Sequence, residues 1–112
     1  MSSDFPALPS GSRTRLRDAL KLLQAAIPLP WSVRMEIRKS LPDGDLGLCL
    51  MPEAGGAVIL VNAQQLEREA LDTVAHEYAH AMCLGHAGGD SRAAWGIAYA
   101  EAYEVVFGDH TS

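Results

Sequence analysis

The stretch "DTVAHEYAHAMCLGHAGGD", Asp72 to Asp90, decides how this chain is read. His76 and His80 stand four residues apart, with Glu77 directly after the first. At about 100° per residue on a helix, the two imidazoles lie about 40° apart on one face, with Glu77 about 60° from His80. Leu71, Val74, Ala75, Tyr78, Ala81 and Met82 gather on the opposite side. One face of such a helix can bury against a sheet while the other presents two imidazoles and a carboxylate. Zn²⁺ needs that spacing: two nitrogen donors one turn apart, reaching the same point. Glu77, from the same turn, is placed to take a proton from water beside the metal rather than to bind it. Solvent-facing or hydrogen-bonded helix histidines are the bland alternative. The uncharged flanks, Thr73 to Ala75 and Tyr78 to Met82 apart from His80 itself, favour a dry metal face over a salt-bridged surface one.

Outward from that helix, the pattern predicts an α+β domain of order α-β-β-β-α-α. Ser12 caps a first helix to about Ile27, with Leu16, Leu20, Leu23 and Ile27 at helical spacing, and Pro28 and Pro30 stop it. "WSVRMEI" alternates Trp31, Val33, Met35 and Ile37 on one face, as a half-buried strand does. "LPDGD" is turn chemistry, "LGLCLM" alternates through Leu46, Leu48 and Leu50, and "PEAGG" turns again. "AVILV" is short, continuous and β-branched, fitting a third strand in a small, mainly antiparallel sheet. The histidine helix runs from about Gln64 to Leu84 and ends at Gly85; Asp90 or Ser91 caps a last helix to about Phe107.

The 112 residues suit one domain. Residues 1–11 read as a loose arm, 12–108 as the domain and 109–112 as a tail. The opening "MSSDFPALPSGS" has an acid, two prolines and no apolar core, unlike a secretory leader. No apolar run approaches a bilayer-spanning length, so no membrane partner is expected. Cys49 and Cys83 lack CxxC spacing and read as reduced, half-buried thiols, which points to the cytoplasm. The formal charge of −5 speaks against nucleic-acid binding, which needs a basic face. Residues 62–112 hold two Lys/Arg against eight Asp/Glu, a half whose charge suits a divalent cation.

Through "HEYAH" and the helix–sheet–helix order before it, the sequence resembles the zincin metallopeptidases. Zincins set their active-site helix beside a small sheet whose edge strand aligns the peptide substrate. The resemblance covers roughly residues 31–107, and its sharp part is those five residues. It implies a zincin-like fold, Zn²⁺ as cofactor, His76 and His80 as ligands, and Glu77 as general base.

Three residues can complete the metal site. His86 stands where metzincins put a third histidine. "DSRAAWGIAYAEAY" resembles the "HGxxW" neighbourhood of SprT-like proteins and their short phage-encoded relatives. Their histidine ligand is replaced here by Ser91 with Asp90 beside it, and Asp90 is equally a natural N-cap. Glu101 interrupts a small-residue stripe, Ala94, Ala98, Glu101, Val105, and an antiparallel pairing of the last two helices sets His76–His80 level with residues 97–98. A glutamate at 101 would lean back to that level, and gluzincins likewise take a glutamate from a following helix. Glu101 ranks first, Asp90 second and His86 third.

The expected function is therefore a minimal zinc-dependent peptidase acting on a peptide or protein substrate. The alternative is a non-catalytic zincin-like module in which zinc ties the last two helices together and the surface binds a partner protein. Tyr99 and Tyr103 could donate to a developing oxyanion, although aromatic core is the commoner role for both.

Overall fold

A computed structural model describes residues 8, 9, 11–85 and 91–108. Three helices and a three-stranded sheet follow the anticipated order: α1 (Ser12–Ala26), β1 (Val33–Arg38), β2 (Gly47–Leu50), β3 (Ala57–Asn62), α2 (Glu67–Met82) and α3 (Ser91–Phe107). No helix among the described residues is long and apolar enough to cross a membrane.

The sheet is mixed rather than mainly antiparallel. Its order is β1-β3-β2, with β3 parallel to β1 and antiparallel to β2. The "LPDGD" turn does not close a hairpin. It forms a short 3-10 turn, Pro42–Gly44, with Asp43 and Gly44 at positive φ, and the chain passes to the far side of the space that β3 fills. The reason lies in β3. All six of its residues are buried, because Ile59 and Val61 face the helices while Val58 and Leu60 face Leu41 and Leu48 on the other side. A strand apolar and buried on both faces belongs in the centre, leaving the two less buried strands as edges.

β2 also presents the opposite face from the one its leucines suggest. Cys49 packs against the main core, and Gly47 lies against Thr73 and Glu77 of α2. Leu48 joins the small outer cluster, while Leu46 and Leu50 stay 47% and 46% exposed. A shift of one residue in strand phase exchanges the faces, and here the residue without a side chain is the one that meets the helix.

α1 buries Leu16, Ala19, Leu20 and Leu23. Gly11, not Ser12, holds its N-cap position; the Ser12 hydroxyl instead donates 2.5 Å to Glu67 Oε1, joining Arg15, 2.7 Å from the same carboxylate, in fastening α1 to the start of α2. That shared carboxylate sits below its usual range because the Ser12 and Arg15 hydrogen bonds stabilise its charged form. Farther along, the buried Tyr78 hydroxyl donates 2.6 Å to the Ile27 carbonyl, and Trp31 Nε1 donates 3.1 Å to Ala81. Leu8, inside the segment read as an arm, donates its backbone N–H to Ala63 and packs on the core. Residues 1–7, 10 and 109–112 lie outside the described residues.

α2 begins at Glu67 rather than near Gln64 because the preceding residues are occupied. Asn62 Oδ1 accepts from the Gln64 N–H, and the buried Gln65 Nε2 donates 2.6 Å to Asn62 O and 3.1 Å to Leu46 O. Thr73 Oγ1 completes the cluster by donating 3.0 Å to Gln65 Oε1. Asn62 Nδ2 donates 2.8 Å to Asp45 O. These bonds pin the start of β2 beside the middle of α2, which positions the site.

Candidate functional site

The apolar positions of α2 turn inward as the periodicity requires: Val74, Ala75, Tyr78 and Ala81 are fully buried. His76 and His80 therefore emerge together, their ring centroids 5.3 Å apart and their planes at 65°. Burial, and secondarily the neighbouring His76, lowers the pKa of His80 and favours its neutral, donor form.

Glu77 is the unusual residue. It is only 6% exposed, and no described residue donates a hydrogen bond to it. Burial, reinforced by the charge of Asp45, pushes its carboxyl up to about 7. Gly47 makes this close packing possible. A Cβ there would collide with Thr73 Cγ2 and lie 3.1 Å from Glu77 Oε2.

Glu77 and His76 border two open cavities between α2 and β2. One, of about 390 Å³, reaches toward Glu69 and Asp72; the other, of about 450 Å³, runs past His80 to Cys49, Met51 and Leu84. Together they form a groove along an edge strand. The Asn62 N–H donates to the Leu46 carbonyl, so in the observed register Leu46, Leu48 and Leu50 turn their backbone groups toward β3. Gly47 and Cys49 turn theirs to the open edge. Cys49 has its thiol pushed up to about 11, by burial first and by Glu77 second.

The other wall of the histidine pair is aromatic. The Trp95 ring lies 4.8 Å from His76 and 5.2 Å from His80, and stacks on Tyr99 at 5.1 Å with planes 10° apart. Tyr99 is 5.6 Å from His76, and its hydroxyl donates 2.5 Å to Asp72 Oδ1. Burial and that bond raise the Tyr99 phenol to about 12. Its proton is thus committed to Asp72. Tyr103 sits one turn farther on, edge-on to Tyr99 and tilted against Phe107.

The structure brings His76, Glu77 and His80 together. It does not bring Glu101 to them. The anticipated level is right, since residues 97–98 lie between Trp95 and Tyr99, but the rotation is not. Glu101 follows Tyr99 by two positions, about 200° around the helix, and points to solvent. Among the described residues no three His, Cys, Asp or Glu side chains converge as a metal-holding group. His86 and Asp90 lie outside the described residues. Cys83 is half-buried in the 3-10 turn Cys83–Gly85 that follows α2.

The sequence pattern assigned no role at the site to Trp95, Gly47, Asp72 or Asp45. The four-residue spacing of Trp95, Tyr99, Tyr103 and Phe107, set against that of Asp72, His76 and His80, was the available clue. No protein-family model, curated protein or solved structure matches the chain.

Proposed function

We propose that this chain is a zinc-dependent peptidase, with His76 and His80 as metal ligands and Glu77 as general base. Glu77 carries the reading: a carboxylate more than nine-tenths buried, without a hydrogen-bond donor among the described residues, in the wall of a groove beside two imidazoles whose ring centroids lie 5.3 Å apart. A glutamate kept for solubility or an ion pair would be exposed or partnered. Two imidazoles one turn apart suit zinc, and zinc-binding chemistry would supply a polarised carbonyl and a more acidic water. Glu77 accepts a proton from the attacking water and delivers it to the leaving amine. The open backbone groups of Gly47 and Cys49 offer an extended polypeptide a strand to pair with.

The third ligand is to be sought at His86 and Asp90. Replacing each with alanine and measuring Zn²⁺ affinity separates them. The catalytic assignment is tested by Glu77→Gln, which should retain Zn²⁺ and lose cleavage of a reduced, alkylated casein. Undiminished cleavage would refute the assigned base.

One observation favours a second reading. From α3, Trp95 packs against both histidines and Tyr99 against His76, so zinc could serve to tie α3 to α2 in a non-catalytic module that binds a partner protein. In that case chelation lowers the melting temperature steeply, and no unfolded polypeptide is cleaved under any metal loading.

A further inference from the structure

Trp95 carries the orphan of this structure. Its indole nitrogen is fully shut off from solvent and has no hydrogen-bond partner. Among the described residues no other side-chain nitrogen or oxygen so completely enclosed shares that state; the Glu77 carboxylate, by contrast, opens on the groove. An indole N–H can only donate, and burying it without an acceptor forfeits its bonds to water. Packing explains the ring, which touches His76, His80 and Tyr99. It does not explain the unpaired N–H. The neighbouring phenol already donates its hydrogen to Asp72 Oδ1.

We propose that Trp95 is the hydrogen-bond donor of this site: its ring holds the two imidazoles in place, and its N–H is kept for an oxygen of a ligand bound at His76 and His80. This rests on the metal reading above and adds the chemistry of the ligand. A carbonyl, carboxylate or hydroxamate oxygen accepts the N–H, and the bond strengthens as that oxygen gains negative charge. Peptide substrates and their carboxylate products both supply such an atom.

The chain has two tryptophans, so ¹⁵N-labelled protein shows two indole N–H cross-peaks. Trp31, already bonded to the Ala81 carbonyl, is the internal reference, and Trp95→Phe assigns the other peak by its loss. Calorimetry follows the addition of Zn²⁺ and then acetohydroxamate, an oxygen-donor probe. With both bound, the Trp95 cross-peak should move downfield and its deuterium exchange should slow, while Trp31 stays put. Trp95→Phe should bind Zn²⁺ within about threefold of the parent but acetohydroxamate about tenfold more weakly, the loss of one hydrogen bond to a charged oxygen. Zn²⁺ and probe uptake with an unmoved Trp95 peak overturns this inference and leaves the metal reading standing. So does a Trp95→Phe variant that binds the probe as tightly as the parent. Failure of the parent to take up Zn²⁺ overturns both.

Discussion

Replacing Gly47 with alanine tests the packing that keeps Glu77 dry. Gly47 has no positive φ, so the backbone there accepts any residue. Alanine in a strand would ordinarily gain roughly 0.5–1 kcal/mol over glycine. Here the added methyl collides with Thr73 Cγ2 and crowds the Glu77 carboxylate. Thr73 cannot swing away cheaply. It is 7% exposed, and its single O–H is shared between two acceptors, Gln65 Oε1 at 3.0 Å and the Glu69 carbonyl at 2.9 Å. Overpacking of this kind costs about 1–3 kcal/mol. The net loss should be about 1–2 kcal/mol, a fall in melting temperature of roughly 5–10 °C for a domain of this size. Thr73→Ser removes the clashing methyl and keeps the hydroxyl between its two acceptors. The double variant Gly47→Ala/Thr73→Ser should therefore be more stable than the sum of the single losses, with a coupling of about 1 kcal/mol. Circular dichroism during heating, repeated in urea, measures all four proteins. A Gly47→Ala protein that melts at or above the parent, or a cycle that is additive, would refute the close approach of β2 to α2.

Gln65→Met removes the side chain that bonds the Leu46 and Asn62 carbonyls and accepts from Thr73. Urea unfolding should show a loss of roughly 2–4 kcal/mol, and a value within about 0.5 kcal/mol of the parent would mean that the cluster does not hold β2. Glu101→Ala should leave Zn²⁺ affinity within about threefold of the parent; a fall of about a hundredfold would restore Glu101 as a ligand against the rotation of α3 seen here. Cys49, with its thiol near 11, should carry roughly a hundredth of the thiolate of a free cysteine at pH 8. Iodoacetamide labelling followed by mass spectrometry would contradict this burial if Cys49 reacted at the rate of an unfolded peptide thiol.

The elements of the fold were legible because each carries its own period. α1 shows leucines at helical spacing, α2 has an uninterrupted apolar face, and β3 is a continuous β-branched run between turns. Pairing was less legible. "LPDGD" can close a hairpin or lead a crossover, and nothing within those five residues chooses. The choice is made elsewhere, by a strand apolar on both faces competing for the centre of the sheet. The face of β2 was misleading for a related reason. Three leucines outweigh a glycine and a cysteine in any hydrophobic pattern, yet α2 approaches where side chains are small, and the leucines are left at the rim.

The same contest between pattern and fit explains the site. His76, Glu77 and His80 are within one turn of each other, so helix geometry alone sets their relation. The residues of α3 opposite them depend on how that helix is rotated, and "SRAAWGIAYAEAYEVVF" is apolar on nearly every side. Ile97, at 65% exposed, would have served a hydrophobic face as well as Tyr99 does. What selects Trp95 and Tyr99 is the partner surface: two flat imidazoles and the Asp72 carboxylate one turn before them. Flat rings cover flat rings, and a phenol reaches a carboxylate that small residues cannot. Once those aromatics face inward, Glu101 must face outward. A third donor from α3 and an aromatic wall from α3 are therefore competing uses of one helix face, and in this chain the wall occupies it.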